Sequence, residues 1–172
     1  QNKFEGPIGS GIAIRLEDYH ETLSNNYFIG FETQLVIPAD NTPTHQSVYR
    51  VEVIGNLFAS ASGRAIDLGG YANSFIGNSI SATNQTIRID PATSDTTSGY
   101  GNMFIGNQIR TANVVLGTNS QKNYFALNTF LNSATISDSG TGNKYFLNID
   151  GPSDNTGFAK LSGGNTFTGA QL

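Results

Sequence analysis

Three carboxylates have the chemistry and the positions to be considered for catalysis: Glu17, Asp67 and Asp90. Glycoside hydrolysis uses two carboxyl groups, about 5–10 Å apart, one as the acid and one as the base or nucleophile. Each of the three lies in, or directly after, a short run rich in alternating apolar residues, namely "IAIRL", "AIDL" and "TIRID". They are the catalytic candidates for a hydrolase or lyase, and the alternative is that they form structural ion pairs.

Aromatic and imidazole side chains between these runs are candidates for ligand contacts. They are Tyr19, His20, His45, Tyr71 and Tyr100. Sugars pack their C–H faces on aromatic rings, and hydroxyl and imidazole groups add hydrogen bonds. The alternative is that the tyrosines close loops or pack on the fold, and the absence of Trp weakens the case for carbohydrate.

Several other site chemistries have no support in the sequence. There is no Cys, and the chain has only two His residues, which lack the spacing of a metal-binding pair. Calcium-loop, P-loop, dinucleotide and Gly-x-Ser-x-Gly motifs are also missing. We therefore expect no metal site and no cofactor.

The charge and composition argue against nucleic acid and membranes as partners. The net charge is −4, no basic cluster occurs, and no apolar run approaches membrane-spanning length. The chain contains 20 Gly and, by count along the sequence, 19 Asn. Because both residue types tolerate left-handed backbone conformations, a chain rich in them is expected to turn often.

A repeated phrase indicates how the candidate residues are positioned. "NSFIGNSI" at 73–80 returns as "NMFIGNQI" at 102–109, and weaker echoes lie on both sides. Alignment of the echoes predicts one aromatic column, made of Phe28, Val53, Phe75, Phe104, Phe125 and Tyr145. The intervals of 25, 22, 29, 21 and 20 residues suit coils whose loops differ in length.

Each repeat reads as an alternating strand, a loop, an Asn-x-Phe strand, a Gly-Asn bend and a short strand. Stacking the repeats would align two columns of asparagines whose side chains hydrogen-bond from coil to coil. The first column would contain Asn26, Asn73, Asn102, Asn123 and Asn143. The second would contain Asn56, Asn78, Asn107, Asn128 and Asn148.

This pattern predicts an all-β fold, a right-handed parallel β-helix (a solenoid) of about six coils over residues 1–148. The alternative is a β-sandwich with coincidental motifs, which calls for Asn-Gly or Asp-Gly hairpins. Asp-Gly occurs once, at 150–151, and Asn-Gly never. Residues 149–172 leave the pattern and are expected to be a C-terminal extension or a linker to a following domain.

Aligning the alternating strands through Leu16, Ile37, Leu68, Ile89 and Leu116 predicts which side chains are neighbours. Asp67 would lie one coil from Arg88, and Glu17 would lie three coils, or about 14 Å, from Asp90. This register gives no convincing catalytic pair within one chain. Val36 and Val115 would point outward, either as part of a subunit interface or as ordinary surface residues.

Loop lengths differ between coils, with longer insertions expected at 17–25, 38–47 and 91–101, all at the same corner. Insertions stacked along one edge of a solenoid commonly form its binding surface. Tyr19, His20, His45 and Tyr100 fall in these longer loops, and Tyr71 falls in a short one at 69–72.

The stacked "NxFIGNxI" coils resemble the right-handed β-helices of bacteriophage tailspikes and of the pectate-lyase-like superfamily. The C-terminal "FAKLSGGNTFTGAQ" is similar to linker repeats of phage tail-fibre proteins. The resemblance implies a homotrimeric appendage of the virion tail that binds bacterial surface polysaccharide, the host receptor. It implies, as an alternative, a depolymerase that cuts capsule or O-antigen, and it transfers no catalytic residue.

Overall fold

The computed structural model describes residues 1–18, 20–39, 49–90, 99–111, 113–132 and 134–151. The candidates Tyr19 and His45 lie outside these residues, as does most of the segment 149–172. No helix in the described residues is both long enough and apolar enough to cross a bilayer.

Eighteen short strands follow one another through the described residues, three to each coil. The first three coils contain β1 (Lys3–Glu5), β2 (Ile12–Arg15), β3 (Thr22–Ser24), β4 (Tyr27–Ile29), β5 (Thr33–Ile37), β6 (Glu52–Ile54), β7 (Leu57–Ala61), β8 (Arg64–Leu68) and β9 (Ser74–Ile76). The last three contain β10 (Ser79–Ala82), β11 (Gln85–Ile89), β12 (Met103–Ile105), β13 (Gln108–Arg110), β14 (Asn113–Leu116), β15 (Tyr124–Ala126), β16 (Thr129–Leu131), β17 (Ile136–Asp138) and β18 (Lys144–Phe146).

Every third strand pairs in parallel, which produces three six-stranded sheets. Sheet A contains β1, β4, β7, β10, β13 and β16; sheet B contains β2, β5, β8, β11, β14 and β17; sheet C contains β3, β6, β9, β12, β15 and β18. The chain is therefore an all-β parallel solenoid, as the repeats predict, and it contains six coils in its described part.

The interior is a set of side-chain columns that run along the stack. The rings of Phe75 and Phe104 are parallel with centroids 4.5 Å apart, and Phe104 stacks on Phe125 at 4.6 Å. All three are fully buried. The predicted register of the alternating strands is also confirmed, because Ile37 pairs with Leu68, and Ile89 pairs with both Leu68 and Leu116. Such a column gains hydrophobic burial and ring stacking at every coil.

The first member of the predicted aromatic column is wrong. Phe28 lies in sheet A, where it stacks between Phe4 and Phe58 with centroids 4.9 Å apart on each side. Leu23 occupies the position in sheet C that was predicted for Phe28, because Leu23 pairs with Val53. The molecule thus contains two stacks of rings, one in sheet A over the first three coils and one in sheet C over the last four.

The corner between sheets C and A is formed by two residues in every coil, and we name it the tight corner. Its first residue has a positive φ: Asn25, Gly55, Gly77, Gly106, Leu127 and Leu147. Its second residue is an asparagine: Asn26, Asn56, Asn78, Asn107, Asn128 and Asn148. A glycine suits the first position because it adopts φ near +60° without strain.

Asn107 shows how the asparagine column works. Its Oδ1 accepts hydrogen bonds from the backbone N–H of Asn78, at 2.9 Å, and from Nδ2 of Asn78, at 3.0 Å. Its Nδ2 donates to the Phe75 carbonyl and to Oδ1 of Asn128, each at 3.0 Å. The amide therefore satisfies buried backbone groups that the turn would otherwise leave without partners.

Asn26 belongs to this column and not to the one predicted for it, because its backbone N–H donates to Oδ1 of Asn56 at 2.8 Å. The other column lies between sheets B and C and begins at Asn73, whose Oδ1 accepts from the N–H of Val51 at 2.9 Å. Its remaining members are Asn102, Asn123 and Asn143. In the first two coils Glu21 and Val51 occupy the equivalent positions.

The connection between sheets B and C varies in length, and we name it the loop corner. The strand bounds leave 6, 14, 5, 13, 7 and 5 residues there in coils one to six. Coils two and four contain the long insertions, as predicted. The long insertion predicted for coil one at 17–25 is absent, because part of that segment forms β3 and only six residues connect sheets B and C there.

Candidate functional site

The loop corner contains the three predicted ligand residues that the structure describes, His20, Tyr71 and Tyr100. In each of coils two to four a tyrosine lies two residues before the buried position of the asparagine column: Tyr49, Tyr71 and Tyr100. The residue directly before the buried column position has a positive φ in every coil: His20, Arg50, Ala72, Gly101, Lys122 and Gly142. We name Tyr49, Tyr71, Tyr100, His20, Arg50 and Lys122 the tyrosine edge.

Tyr49 is at the centre of the first half of this edge. Its ring stacks on that of Tyr71 with centroids 4.9 Å apart, and the two residues form a parallel β-bridge. The His20 ring packs edge-on at 5.5 Å from the Tyr49 ring. The Arg50 guanidinium lies 5.6 Å from the Tyr49 centroid, and its Nη1 is 3.4 Å from Nε2 of His20. Cation–π attraction stabilises such an arrangement by about 0.5–1 kcal/mol at an exposed site.

Tyr100 and Lys122 repeat the arrangement further along the edge. The Lys122 ammonium lies 5.2 Å from the Tyr100 centroid, and its Nζ donates to the Tyr100 hydroxyl at 3.3 Å. The Tyr100 carbonyl accepts a hydrogen bond from the N–H of Ala72 at 2.9 Å, which ties it to the preceding coil. From Arg50 to Lys122 is three coils, or about 14 Å along the stack.

The cations of this edge lie over tyrosine rings, whereas four cations elsewhere pair with carboxylates and Arg110 donates to the Gln108 side chain. Four other cations pair with carboxylates, at 2.6–2.9 Å: Lys3 with Glu5, Arg15 with Glu17, Arg64 with Asp67, and Arg88 with Asp90. Within the described residues Arg50 and Lys122 have no carboxylate within 4.0 Å and lie over tyrosine rings. Among the described residues, therefore, no carboxylate forms an ion pair with either side chain.

Tyr71 has a shifted pKa that fits its place in the column. Burial raises the pKa of its hydroxyl above the ordinary value of 10.0, the neighbouring Tyr49 raises it further, and Arg50 partly offsets both. The hydroxyl is therefore protonated at neutral pH and can donate a hydrogen bond.

The three catalytic candidates lie elsewhere, on or beside sheet B. The carboxylates of Asp67, Asp90 and Glu17 pair with arginines of their own coil, and the predicted pairing of Asp67 with Arg88 is not seen. Asp67 and Arg88 are adjacent in the strand register, as expected, but their side chains turn to nearer partners. The structure does not join these residues to the tyrosine edge.

Tyr49 is the residue that sequence reasoning missed. The signal was present, since Tyr49, Tyr71 and Tyr100 each precede the buried column position by two residues, and Tyr19 has the same spacing before Glu21. This spacing is hard to recognise in the sequence for two reasons. Asn26 resembles a member of this column but belongs to the column at the tight corner, and the column position in coil two is occupied by Val51 and not by an asparagine. Among the described residues no group of three or more His, Asp or Glu side chains could hold a metal ion.

Comparison with protein-family models, with curated proteins and with solved structures gives no match for this chain.

Proposed function

We propose that this chain is a structural and receptor-binding module of a bacteriophage tailspike-type appendage. In this proposal it is a right-handed β-helix, it assembles as a homotrimer on the virion tail, and its tyrosine edge binds bacterial surface polysaccharide. Right-handedness has general support because connections between parallel strands of one sheet are right-handed in about 98% of cases.

The observation that carries the proposal is the column of tyrosines and cations at the corner where the insertions occur. A polysaccharide is a linear repeating ligand, and the tyrosine edge repeats along the solenoid at about 4.8 Å per coil. A row of equivalent side chains can therefore bind successive units of one glycan chain. Several weak contacts then combine to give a higher overall affinity than any one of them alone.

The chemistry of the edge favours an acidic glycan. Stacking covers the sides of Tyr49 and Tyr71 that face each other, so these rings offer less open surface to a sugar than isolated tyrosines would. The edge presents phenol groups, a guanidinium and an ammonium instead, which suit carboxylate, sulfate or phosphate substituents.

A binding measurement with matched variants tests the proposal. Purified acidic and neutral capsular polysaccharides and O-antigens would be arrayed and probed with the wild-type chain and with Arg50→Gly/Lys122→Gly. Glycine suits both positions, because Gly101 and Gly142 occupy the same place in other coils with φ of +65° and +69°. We expect at least about tenfold weaker binding of the acidic glycan, since charged hydrogen bonds contribute about 1.5–3 kcal/mol each.

Arg110→Gln on sheet A is the control, and it should bind like the wild type because it removes one positive charge far from the edge. Binding to an acidic glycan should also weaken as salt rises, by charge screening. A wild-type chain that binds no glycan, or a double variant that binds as well as the wild type, would contradict the proposal.

The depolymerase alternative is tested with the same glycans. Incubation with the wild-type chain should release neither reducing ends nor unsaturated sugars if the module only binds. If the wild-type chain releases either product and Asp67→Asn or Asp90→Asn abolishes the release, the chain is an enzyme and not only a binding module.

A further inference from the structure

Exposed apolar side chains are concentrated along one line of the surface, at the tight corner. Of the eight large apolar side chains that are exposed in the described residues, five lie on this corner or directly beside it. They are Leu57, Ile76, Leu127, Leu147 and Ile149. Half-buried Ile54 and Ile105 pair in register with Ile76 and continue the line. We name these seven residues the apolar ridge.

Leu127 occupies a backbone position that suits glycine. Its φ is +55°, and its equivalents in coils two, three and four are Gly55, Gly77 and Gly106. A leucine is rarely found in this conformation, which is strained for a residue with a Cβ. A Cβ built on Gly77 or Gly106 meets nothing within 4 Å, so a side chain at these two positions projects away from the fold, whereas one on Gly55 would meet Oδ1 of Asn25 at 2.8 Å. Its backbone N–H donates to the Phe146 carbonyl at 3.0 Å, but its side chain is 54% exposed and so gains little burial within its own chain.

We propose that the apolar ridge is the surface through which copies of this chain associate. The apolar side chains recur at the coil spacing of about 4.8 Å, so the surface that fits between them must have the same repeat. A second copy of this solenoid, aligned along the same axis, has that repeat. Val36 and Val115, expected to point outward as interface or ordinary surface residues, are less suitable, because Val36 is in fact buried and Val115 is half-buried.

The size of the ridge indicates how tight the association is. The ridge extends over five coils, about 20 Å, and about 20 Å across with the ends of the flanking strands, so it offers roughly 400 Å² per copy. A pair would bury about 800 Å², which lies below the standard protein interface and is typical of reversible complexes. We therefore expect association that depends on concentration. This inference locates the contact surface of the proposed trimer and does not depend on glycan binding.

Sedimentation equilibrium of the full chain, without glycan, tests the inference. The wild-type chain should associate beyond its monomer mass of 18.3 kDa as its concentration rises. Leu127→Gly/Ile76→Thr should weaken association at least tenfold while keeping the fold, because glycine relieves the positive φ and threonine suits a strand. Ile12→Thr is the matched control, since Ile12 is 49% exposed but lies in sheet B of the first coil. It should associate like the wild type.

Two results would overturn the inference. One is a wild-type chain that remains monomeric at all concentrations, in which case something other than a second copy covers the ridge. The other is a folded double variant, with unchanged circular dichroism, that associates as tightly as the wild type. Because no glycan is present, either result would leave the binding proposal to its own test.

Discussion

The tight corner and the loop corner turn the same chain through the same stack, yet they differ in almost every other respect. The tight corner has two residues between strands in each of five complete connections, whereas the loop corner has between 5 and 14. Both contain a column of asparagines, but only at the tight corner does it include every coil. The comparison indicates that the tight corner fixes the register of the coils. The loop corner can therefore vary in its length and in its side chains.

Lengthening each corner should give the largest contrast. A Gly-Ser insertion between Gly106 and Asn107 separates the αL residue from its asparagine and breaks the column, so we expect loss of cooperative unfolding or a loss of more than about 4 kcal/mol. The same insertion after Thr118, in the loop corner, should cost less than about 1 kcal/mol because loop closure depends weakly on length. Urea denaturation followed by circular dichroism measures both, and equal losses would remove the distinction between the corners.

A single substitution should give the next largest effect. Asn107→Ala removes four hydrogen bonds and leaves the Phe75 carbonyl and the Asn78 N–H buried without that partner. We expect a loss of about 3–5 kcal/mol in the free energy of unfolding. Lys122→Gly at the loop corner is the comparison, and it should change stability by less than about 1 kcal/mol because it removes one exposed cation and relieves a positive φ. A loss under about 1 kcal/mol for Asn107→Ala would show that the column is not structural.

The smallest expected effect is a pH dependence at the tyrosine edge. The folded-state pKa of Tyr71 lies above its unfolded value near 10.0, so the folded state holds this proton more tightly. The associated stability is fully present below pH 10 and is lost as pH rises through the folded-state pKa. The wild-type melting temperature should thus fall more between pH 9 and about pH 11 than that of Tyr71→Phe. Parallel pH profiles for the two proteins would contradict this.

Much of the fold could be predicted from the sequence because interior columns repeat with little variation. Phe75, Phe104 and Phe125 share their neighbouring residues closely enough to align correctly, and the alternating runs ending in Leu68 and Ile89 set the register of sheet B. The error at Phe28 has a physical cause. Both asparagine columns favour an asparagine two residues before a buried ring, so Asn26-Tyr27-Phe28 in sheet A and Asn73-Ser74-Phe75 in sheet C look alike in sequence.

The candidate site was less predictable because it depends on side-chain choices that have no periodic signal. Tyr71 and Tyr100 were identified as loop residues, but the stacking of Tyr49 on Tyr71 requires the correct coil alignment. The pairing of Asp67 with Arg64 rather than Arg88 depends on side-chain conformation at the half-buried outer face of β8, where competing ion pairs differ by about 1 kcal/mol or less. Such small differences cannot be read from residue type and spacing.

The central claim, that successive coils lie directly over one another, is tested most directly by a disulfide across two of them. Ser79 and Gln108 are 29 positions apart in sequence and are paired neighbours in sheet A, and the chain has no cysteine of its own. Neighbouring strands are about 4.8 Å apart, within the Cα range of a disulfide, whereas strands two coils apart are separated by about 9.6 Å. Ser79→Cys/Gln108→Cys should therefore oxidise to an intramolecular disulfide, and Ser79→Cys/Thr129→Cys should keep free thiols. Free thiols in the first variant, or equal oxidation of both, would contradict the stacked-coil account.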